Sequence, residues 1–547
     1  MRYSIRGPRR GPALLAAAVA LVTVAACSDG SSSAPPAGTG AGTTAPTAAP
    51  TSAPPPPSPT PKPSPTPTKT YPLSAAPQVV PAVRAHQAAR GPGWKPGPDT
   101  GVVVAAKDEA VLGDEAKLIA GELRVPYRGT AAARPGDVTL ALGGGGAAES
   151  YTLTVRDGGI RITGPDQAGV FYGTRTLKQS VNATGAMPEG TVTDAPAKPQ
   201  RGLMVDIARK YFTADWIEDR LREMADLKLN QLGLHFSDDQ GFRIASDTHP
   251  EIVSERHLSK AEVRRIVALA QSLHIQVVPE IDSPGHLGAV IDAHPDLQLV
   301  SATGRRPRGT VDISNPAAAK IVDELLREYT GLFPGAYWHL GGDEYVALMA
   351  KNPEATYPEL ARAATAKYGP SGRIQDLATG WLNDRAAVVR PTGKALRAWN
   401  DGFFAGGVTS AAPDLQVAYW TGAEIGARTP TSYLSAGRKM INYNDVFLYY
   451  ILGQPRGQTY PTGRRIYEQW TPLVLRGTTP VPARYDPQIL GGSFAVWCDL
   501  ANAQTEAQVA AGIRMPLTAT AQKLWDARKP AASWAAFQSL AAKVRGS

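Results

Sequence analysis

Two carboxylates stand side by side in the segment Gly341-Gly342-Asp343-Glu344. Carboxyl groups can donate or accept a proton at a bond that breaks, and ionised carboxylates stabilise positive charge that develops nearby. Because Asp343 and Glu344 are neighbours, they leave the chain at one point and are poorly placed on opposite sides of a bond. One of them must therefore have a task other than attacking the bond or activating water from its far side.

Enzymes that cleave glycosidic bonds with two carboxylates hold those groups ~5–5.5 Å apart for retention and ~6.5–9.5 Å apart for inversion of configuration. A substrate that carries its own nucleophile, such as a 2-acetamido group, removes the need for the second position. Glu344 would then protonate the leaving oxygen and later act as the base for water. Asp343 would orient the acetamide and stabilise the charge of an oxazolinium intermediate.

More acids, histidines and aromatic residues follow other apolar segments of the chain. Tryptophan and tyrosine faces beside carboxylates suggest a sugar ring as ligand, since the apolar face of a ring can be buried on an aromatic side chain. Packing in the core would explain any one of these aromatic residues equally well. The segments are His235 to Gln240, Pro279 to His286, Trp399 to Asp401, Tyr419-Trp420, Asn442 to Asp445 and Trp497 to Asp499.

The elements that position these residues alternate between buried strands and amphipathic helices from about residue 201. The predicted helices are Ala214–Leu229, Lys260–Leu273, Ala317–Leu332 and a stretch near Asp376–Val389. The predicted strands are Gly202–Ile207, Gln231–Phe236, Ile275–Ile281, Tyr337–Gly341, Ala395–Trp399, Gln416–Trp420, Lys439–Tyr443 and Gly491–Trp497. Eight strands with helical connections predict a (β/α)8 TIM barrel, whose active site lies at the carboxyl ends of the strands. A doubly wound open sheet is the structural alternative.

A small α/β domain is predicted before the barrel, so the folded part divides into residues 75–196 and 197–547. Short segments at Val138–Leu142, Tyr151–Val155 and Gly159–Ile162 are separated by turn-type residues and precede a helical stretch from Gln167 to Val181. The run Gly143 to Gly146 lacks the Lys-Ser/Thr that follows a phosphate-binding loop. A hairpin connection is therefore the favoured interpretation, and nothing in this domain indicates catalysis.

Four motifs together resemble glycoside hydrolase family 20, the β-N-acetylhexosaminidases and lacto-N-biosidases. They are Arg201-Gly202 with Asp206, Ser237 to Gly241, Pro279 to Asp282 with Pro284 to His286, and His339 to Glu344. The resemblance covers roughly residues 75–530. It implies a retaining hydrolase that removes terminal β-linked N-acetylglucosamine or N-acetylgalactosamine, with no cofactor and no metal, and it agrees with the substrate-assisted mechanism.

The resemblance also assigns roles to individual residues. Glu344 would be the general acid/base and Asp343 the residue that orients the acetamido group. Asp238 and His286 would not contact the substrate but would adjust the protonation of Glu344. A tyrosine from the seventh strand region would bind the acetamido oxygen, and the spacing leaves Tyr449 and Tyr443 both open. The implied sugar-binding residues are Arg201, Trp399, Trp420 and Trp497, with Trp497 as the floor of the pocket.

The last motif departs from the family. Hexosaminidases typically have Trp-x-Glu there, with the glutamate gripping outer sugar hydroxyls, whereas this chain has Trp497-Cys498-Asp499. The shorter Asp499 leaves more room, which is similar to the biosidase branch that releases a disaccharide. That activity is kept as the alternative. Cys498 is expected to be a packed thiol.

Two further hypotheses belong to other classes. A metal hydrolase would use His235, Asp238, His286, His339 and Asp343, but no short His-x-x-x-His spacing is present. A non-catalytic glycan-binding lipoprotein is disfavoured because such a protein would be expected to have lost the acid that Glu344 supplies.

The first 27 residues have the layout of a bacterial signal peptide. Arg2 to Arg10 precede an apolar run from Ala13 to Ala26, which is too short for a comfortable membrane span. The run ends in Val24-Ala25-Ala26-Cys27, which resembles a lipobox with Cys27 as the lipidated residue. We expect an extracytoplasmic protein that is secreted or anchored to the cell membrane by lipid alone.

Residues 28–74 are predicted to be a disordered tether rich in Pro, Thr, Ser and Ala, because residues 28–70 contain no Val, Leu, Ile, Met or aromatic side chain. The net charge of +9 comes mostly from residues 1–70, which carry six basic residues and one acid. The folded part is therefore nearly neutral for its size, and no nucleic-acid partner is expected.

Overall fold

The computed structural model describes residues 69–424 and 426–546. The predicted signal peptide, Cys27 and the tether up to residue 68 lie outside the described residues. The strands are β1 His86–Ala88, β2 Val102–Val104, β3 Val138–Leu142, β4 Tyr151–Arg156, β5 Gly159–Gly164, β6 Gly190–Asp194, β7 Gln200–Asp206, β8 Gln231–His235, β9 Ser237–Asp238, β10 Gly241–Phe242, β11 Gln276–Glu280, β12 Tyr337–His339, β13 Ala395–Trp399, β14 Gln416–Tyr419, β15 Met440–Asn442, β16 Tyr449–Ile451 and β17 Ile489–Trp497. The helices are α1 Glu109–Leu123, α2 Gln167–Thr184, α3 Ala214–Asp226, α4 Lys260–Ser272, α5 Gly288–Ala293, α6 Pro316–Leu332, α7 Val346–Met349, α8 Pro353–Thr356, α9 Pro358–Tyr368, α10 Ile374–Val389, α11 Pro430–Ser435, α12 Gly463–Gln469, α13 Glu506–Trp525 and α14 Trp534–Val544.

The first sheet has the strand order β1-β6-β4-β5-β3-β2 and carries α1 and α2. Its β4–β5 pair is antiparallel and its β3–β5 pair is parallel. Alternate residues of β4 are buried, since one face of the strand packs on the helices. The small α/β domain that the sequence predicts is confirmed.

The second sheet is a closed barrel of eight parallel strands, which confirms the predicted fold class. Strands β7, β8, β11, β12, β13, β14 and β15 pair in that order. The sheet closes because β17 pairs with both β15 and β7. All seven residues of β7 are buried, as expected for a parallel strand covered on both faces. One extra strand that the sequence analysis missed, β16, pairs with the second half of β17.

The early helices begin where the sequence predicts because each has a side-chain cap. Thr213 caps α3, Asn315 caps α6, and Ser259 forms a capping box with Glu262 at the start of α4. The later connections differ from the expected helical crossovers. Only a single short 3₁₀ turn, Asn400–Gly402, and no α-helix joins β13 to β14 among the described residues.

The small domain packs against the amino-terminal end of the barrel through buried charged groups. Arg201 is fully buried and pairs with Glu149 at 2.7 Å. Lys228 donates to the Tyr151 hydroxyl at 3.1 Å and lies over the ring of Trp525. These contacts join the two domains below the barrel and leave its carboxyl end open. Within the part of the chain that the structure describes, no helix has both the length and the hydropathy needed to cross a bilayer.

Candidate active site

The turn after β12 presents both carboxylates at the carboxyl end of the barrel. Gly341 has φ +67° and Gly342 has φ +102°, both in the left-handed region. A Cβ atom at Gly341 would lie 1.7 Å from Oδ1 of Asp282, so only glycine fits there. Glu344 itself has φ +48°, a sparsely populated conformation for a side chain of this kind. Its backbone N–H donates to Oδ2 of Asp401 at 3.1 Å, which holds the turn in this conformation.

Asp343 and Asp282 form a buried pair of carboxyl groups. Asp282 accepts the backbone N–H of Gly342 at 2.8 Å through Oδ1. Burial raises the pKa of Asp282 to about 6, and burial together with the charge of Asp282 raises the pKa of Asp343 well above its usual range. Two adjacent carboxylates resist double ionisation, so the pair retains one proton near neutral pH.

His286 links the two neighbouring acids to a third one. Its Nε2 atom lies 3.6 Å from Oε2 of Glu344 and 3.7 Å from Oδ2 of Asp343, and its Nδ1 atom lies 3.3 Å from Oδ1 of Asp238. Burial alone would lower the pKa of His286, but the charges of Asp238 and Asp343 outweigh burial and raise it well above its ordinary value. The close approach of His286 Nε2 to Glu344 in turn lowers the pKa of Glu344. Asp238 therefore acts on Glu344 through His286.

A network of buried polar groups lies beneath these acids. Glu280 faces His235 at 3.2 Å, faces His339 at 3.2 Å, and accepts the Nε1–H of Trp399 at 2.7 Å. His235 also contacts Asp238 at 2.7 Å. Burial would raise the pKa of Glu280, but the two histidines lower it far below its ordinary value, so it stays ionised. The network fixes the orientation of Trp399 and Asp238.

Aromatic side chains surround the opening beside Asp343. The rings of Trp399 and Trp497 lie 6.0 Å apart, and the Tyr449 ring lies 5.7 Å from Trp497. Trp420 stacks on Tyr449 at 5.8 Å with an interplanar angle of 5°. The Nε1–H of Trp420 donates to Oδ1 of Asp401 at 2.9 Å, so one carboxylate holds both this ring and the Glu344 turn. The walls present apolar faces to a ring-shaped ligand.

The two candidate tyrosines occupy different depths. The Tyr449 ring packs against Trp420 and Trp497 in the pocket wall, and burial together with the charge of Asp343 raises the pKa of its hydroxyl. Tyr443 lies against the edge of Trp399 and faces Arg397 and Ser493 in the barrel interior. Tyr449 is therefore the tyrosine that lies beside the acid pair.

Comparisons with known proteins bear directly on this arrangement. The model of the glycosyl hydrolase family 20 catalytic domain matches residues 199–528, and the model of the family's domain 2 matches residues 76–195. The chain belongs to glycosyl hydrolase family 20. The resemblance that the sequence motifs indicate is thus confirmed.

Individual members of family 20 are similar to the chain over different lengths. A lacto-N-biosidase of Bifidobacterium bifidum is 30% identical over 452 residues, which cover 81% of this chain and 39% of that protein. A β-hexosaminidase of Akkermansia muciniphila is 30% identical over 281 residues, 46% of this chain and 56% of that protein. The chain thus spans less than two thirds of either relative. The structure of an exo-β-N-acetylglucosaminidase of Vibrio harveyi in complex with N-acetylglucosamine has a TM-score of 0.70 at 19% identity, covering 86% of this chain and 77% of that one.

One residue expected from the family 20 resemblance lies elsewhere. Arg201 is at the amino-terminal end of β7, where it contacts Glu149 and the Tyr172 hydroxyl, so it does not reach the pocket. The arginine at the opposite end is Arg209, which the sequence analysis missed. It pairs with Asp206 at 3.0 Å and Asp238 at 2.9 Å and lies over the Trp497 ring. Its position just after the carboxyl end of β7 is the signal that could have found it.

Of the two residues that follow Trp497, Cys498 is buried and Asp499 is exposed. Cys498 is completely buried, and burial raises the pKa of its thiol, which makes it unreactive. Asp499 is exposed and lies near enough to Arg209 for that charge to act on it. Asp499 is therefore accessible to solvent, whereas Cys498 is not.

Two groups of side chains in the site have metal-ligand atoms close together. One consists of His235, Glu280 and Asp282, and the other of Asp282, His286 and Asp343. His235 already faces Asp238 and Glu280, and His286 faces Asp238 and both catalytic carboxyls, so each histidine has carboxylate partners. Carboxylate partners of this kind fix the orientation and the tautomer of an imidazole ring.

Proposed function

We propose that the chain is a retaining hydrolase that removes terminal β-linked N-acetylglucosamine or N-acetylgalactosamine from glycans with help from the substrate's own acetamido group. The observation that carries this proposal is the position of Asp343 and Glu344 on one side of the pocket. Both carboxyls lie within 3.7 Å of the same His286 nitrogen. No room for a sugar exists between them, so they cannot work from opposite faces of a glycosidic bond.

The first step forms the intermediate. The acetamido oxygen attacks the anomeric carbon while the bond to the leaving oxygen breaks, and Glu344 gives its proton to that oxygen. The Glu344 side chain is 37% exposed in the open pocket. A bound sugar would displace water from it, and burial raises the pKa of a carboxyl, which favours the protonated form that this step requires.

Asp343 acts on the acetamide nitrogen. Its carboxylate accepts the N–H and stabilises the positive charge of the oxazolinium, which requires the proton that the pair shares to pass from Asp343 to Asp282 when the substrate is bound. In the second step Glu344 takes a proton from water, which attacks the anomeric carbon and reopens the ring. Two inversions at that carbon give net retention. In this proposal Tyr449 donates to the acetamido oxygen before that oxygen attacks.

The direct test is release of 4-nitrophenol from its N-acetyl-β-glucosaminide. Wild type should release it, and Glu344→Gln should reduce kcat by about 10²–10⁴-fold because the variant lacks the acid. Glu354→Gln, at a partly exposed glutamate outside the acid cluster, is the matched control. No release by wild type, or full activity in Glu344→Gln, would exclude the proposal. A thiazoline analogue of the intermediate should bind far more tightly than N-acetylglucosamine.

A second candidate is release of a disaccharide, as the name of the Bifidobacterium bifidum relative describes for that protein. Two observations favour it. The similarity to that relative extends over 81% of this chain, and the exposed Asp499 stands where hexosaminidases typically have the longer glutamate. Comparing aryl glycosides of lacto-N-biose and N-acetylglucosamine decides between the two, because a pocket closed after one sugar would reject the disaccharide.

We further propose that the protein is exported and held at the cell membrane by lipid on Cys27, with residues 28–74 as a spacer. The lipobox-like end of the apolar segment and the composition of the spacer support this. Cys27→Ser should abolish labelling by radioactive palmitate and release the protein from membranes. Unchanged membrane association in Cys27→Ser would contradict lipid anchoring.

A further inference from the structure

Two histidines from different loops converge on one glutamate oxygen outside the active site. Nδ1 of His249 lies 3.0 Å from Oε1 of Glu251, and Nε2 of His294 lies 2.9 Å from the same oxygen. On the other side of the ring, Nε2 of His249 lies 3.1 Å from Oε2 of Glu324. His249 and Glu251 follow β10, His294 follows α5, and Glu324 lies in α6. The cluster therefore joins three separate elements of the barrel.

His249 lies between two carboxylates, one at each of its ring nitrogens. Both of its ring nitrogens face carboxylate oxygens, but a neutral imidazole has only one N–H. The other nitrogen then presents a lone pair to a carboxylate, which is repulsive. Either a second proton on the ring or a cation next to that nitrogen removes the repulsion.

The geometry favours a cation at Nδ1. Histidines that bind metals usually donate their other N–H to a carboxylate, which fixes the tautomer and orients the ring. Glu324 stands in that position at Nε2 of His249. The ligand atoms of His249, Glu251 and His294 all lie within 4.8 Å of one another. Ligands ~2 Å from a tetrahedral ion are about 3.3 Å apart, so small side-chain rotations suffice.

We propose that His249, Glu251 and His294 bind a divalent transition-metal ion, with Glu324 orienting His249. Two imidazoles and one carboxylate suit zinc better than calcium or magnesium, which prefer oxygen ligands. Three protein ligands leave a fourth position for water. The ion would tie the loop that follows Asp238 to the segment that follows His286. It would thus brace two loops of the active site without touching the substrate.

The test uses the full chain without a polyhistidine tag, stripped of metal by a chelator and titrated with zinc and with cobalt(II). Wild type should bind one ion of high affinity, show the visible absorption of four-coordinate cobalt, and gain a few degrees in Tm. His249→Gln and His294→Gln should abolish these signals. Glu324→Gln should weaken binding by about 10–100-fold without changing the stoichiometry. His257→Gln, at a histidine outside the cluster, should bind as wild type does.

Two results would overturn the proposal. One is the absence of saturable binding by wild type, which would leave a protonated His249 as the explanation of the contacts. The other is undiminished binding in both His249→Gln and His294→Gln, which would locate the ion elsewhere. The His294 side chain is 29% exposed, so His294→Gln is expected to fold, and the wild-type titration stands without any variant. Hydrolysis of the aryl glycoside provides an independent check of folding.

Discussion

Asp401 accepts the backbone N–H of Glu344 at 3.1 Å, so a carboxylate from the end of one strand sets the conformation of the acid that follows the neighbouring strand. The same carboxylate accepts the indole N–H of Trp420 at 2.9 Å. Burial, together with the charge of Asp343, raises the pKa of Asp401 well above its usual range. Asp401 therefore contributes to the site by orienting Glu344 and Trp420, and not by carrying a charge.

Substitutions at Asp401 should impair the reaction although this side chain is not assigned to the substrate. Asp401→Ala leaves two partly buried donors without their acceptor, which costs up to about 1–3 kcal/mol for each. We expect kcat/KM to fall roughly 10–100-fold, and Asp401→Asn, which keeps one acceptor, to fall less. Asp445→Asn, at an exposed acid on a neighbouring loop, is the control. Equal kinetics for Asp401→Ala and wild type would contradict a positioning role.

The pH profile should report the pair formed by Asp282 and Asp343. The charge of Asp282 raises the pKa of Asp343, so removing that charge lowers it. Asp343 must be ionised to stabilise the oxazolinium, and activity is lost at low pH as Asp343 takes up a proton. In Asp282→Asn, which retains an oxygen for the Gly342 N–H, the acidic limb of kcat/KM should therefore move to lower pH. An acidic limb that stays in place or moves upward would refute this assignment.

Substitutions of Arg201 and Arg209 should have different effects, the first on stability and the second on substrate binding. Arg201→Gln breaks a buried ion pair, which typically costs ~3–5 kcal/mol, and should lower Tm while the folded enzyme keeps its KM. Arg209→Gln should raise KM, because Arg209 lies over the pocket floor beside Trp497. Glu149→Gln, at the partner of Arg201, should behave as Arg201→Gln does. A raised KM in Arg201→Gln would restore the original assignment.

The two tyrosines provide a matched pair. Tyr449→Phe removes the hydroxyl beside Asp343 and should lower kcat more than tenfold, since a donor to the attacking oxygen is lost. Tyr443→Phe removes a hydroxyl that faces Arg397 and Ser493 and should change kcat little. Steady-state kinetics on the aryl glycoside measure both. The reverse order of effects would assign the acetamido contact to Tyr443.

Much of the barrel can be predicted from sequence because its strands are buried on both faces. Continuous apolar runs such as Leu203, Met204 and Val205 in β7 are visible without an alignment, and the helices begin at recognisable caps such as Ser259. The segments that escaped prediction, such as β16, are three residues long and owe their pairing to β17. Their stability comes from tertiary contacts, which the local sequence does not encode.

Some residues of the candidate site can be predicted from the sequence, and others can be found only in the folded chain. Asp343 and Glu344 are recognisable because their chemistry lies in one short motif. The assignment of Arg201 to sugar binding is wrong. It follows from the family motif alone, whereas the position of Arg201 at the start of β7 directs it away from the carboxyl end of the barrel. The sequence places Asp401 at a strand end but indicates no role for it, since its partner is a backbone N–H that only the folded chain brings near.

The buried cations between the two domains limit how this protein can be divided. Burial lowers the pKa of Lys228 to about 8, although Asp194 of the small domain opposes that shift. Trp525, which packs against Lys228 and Arg201, belongs to a helix near the other end of the chain. Separating the two domains between residues 195 and 199 would remove the carboxylate partners of both cations, Glu149 of Arg201 and Asp194 of Lys228. The small domain and the barrel are therefore expected to fold as one unit. A chimaera made with a relative must exchange both domains together.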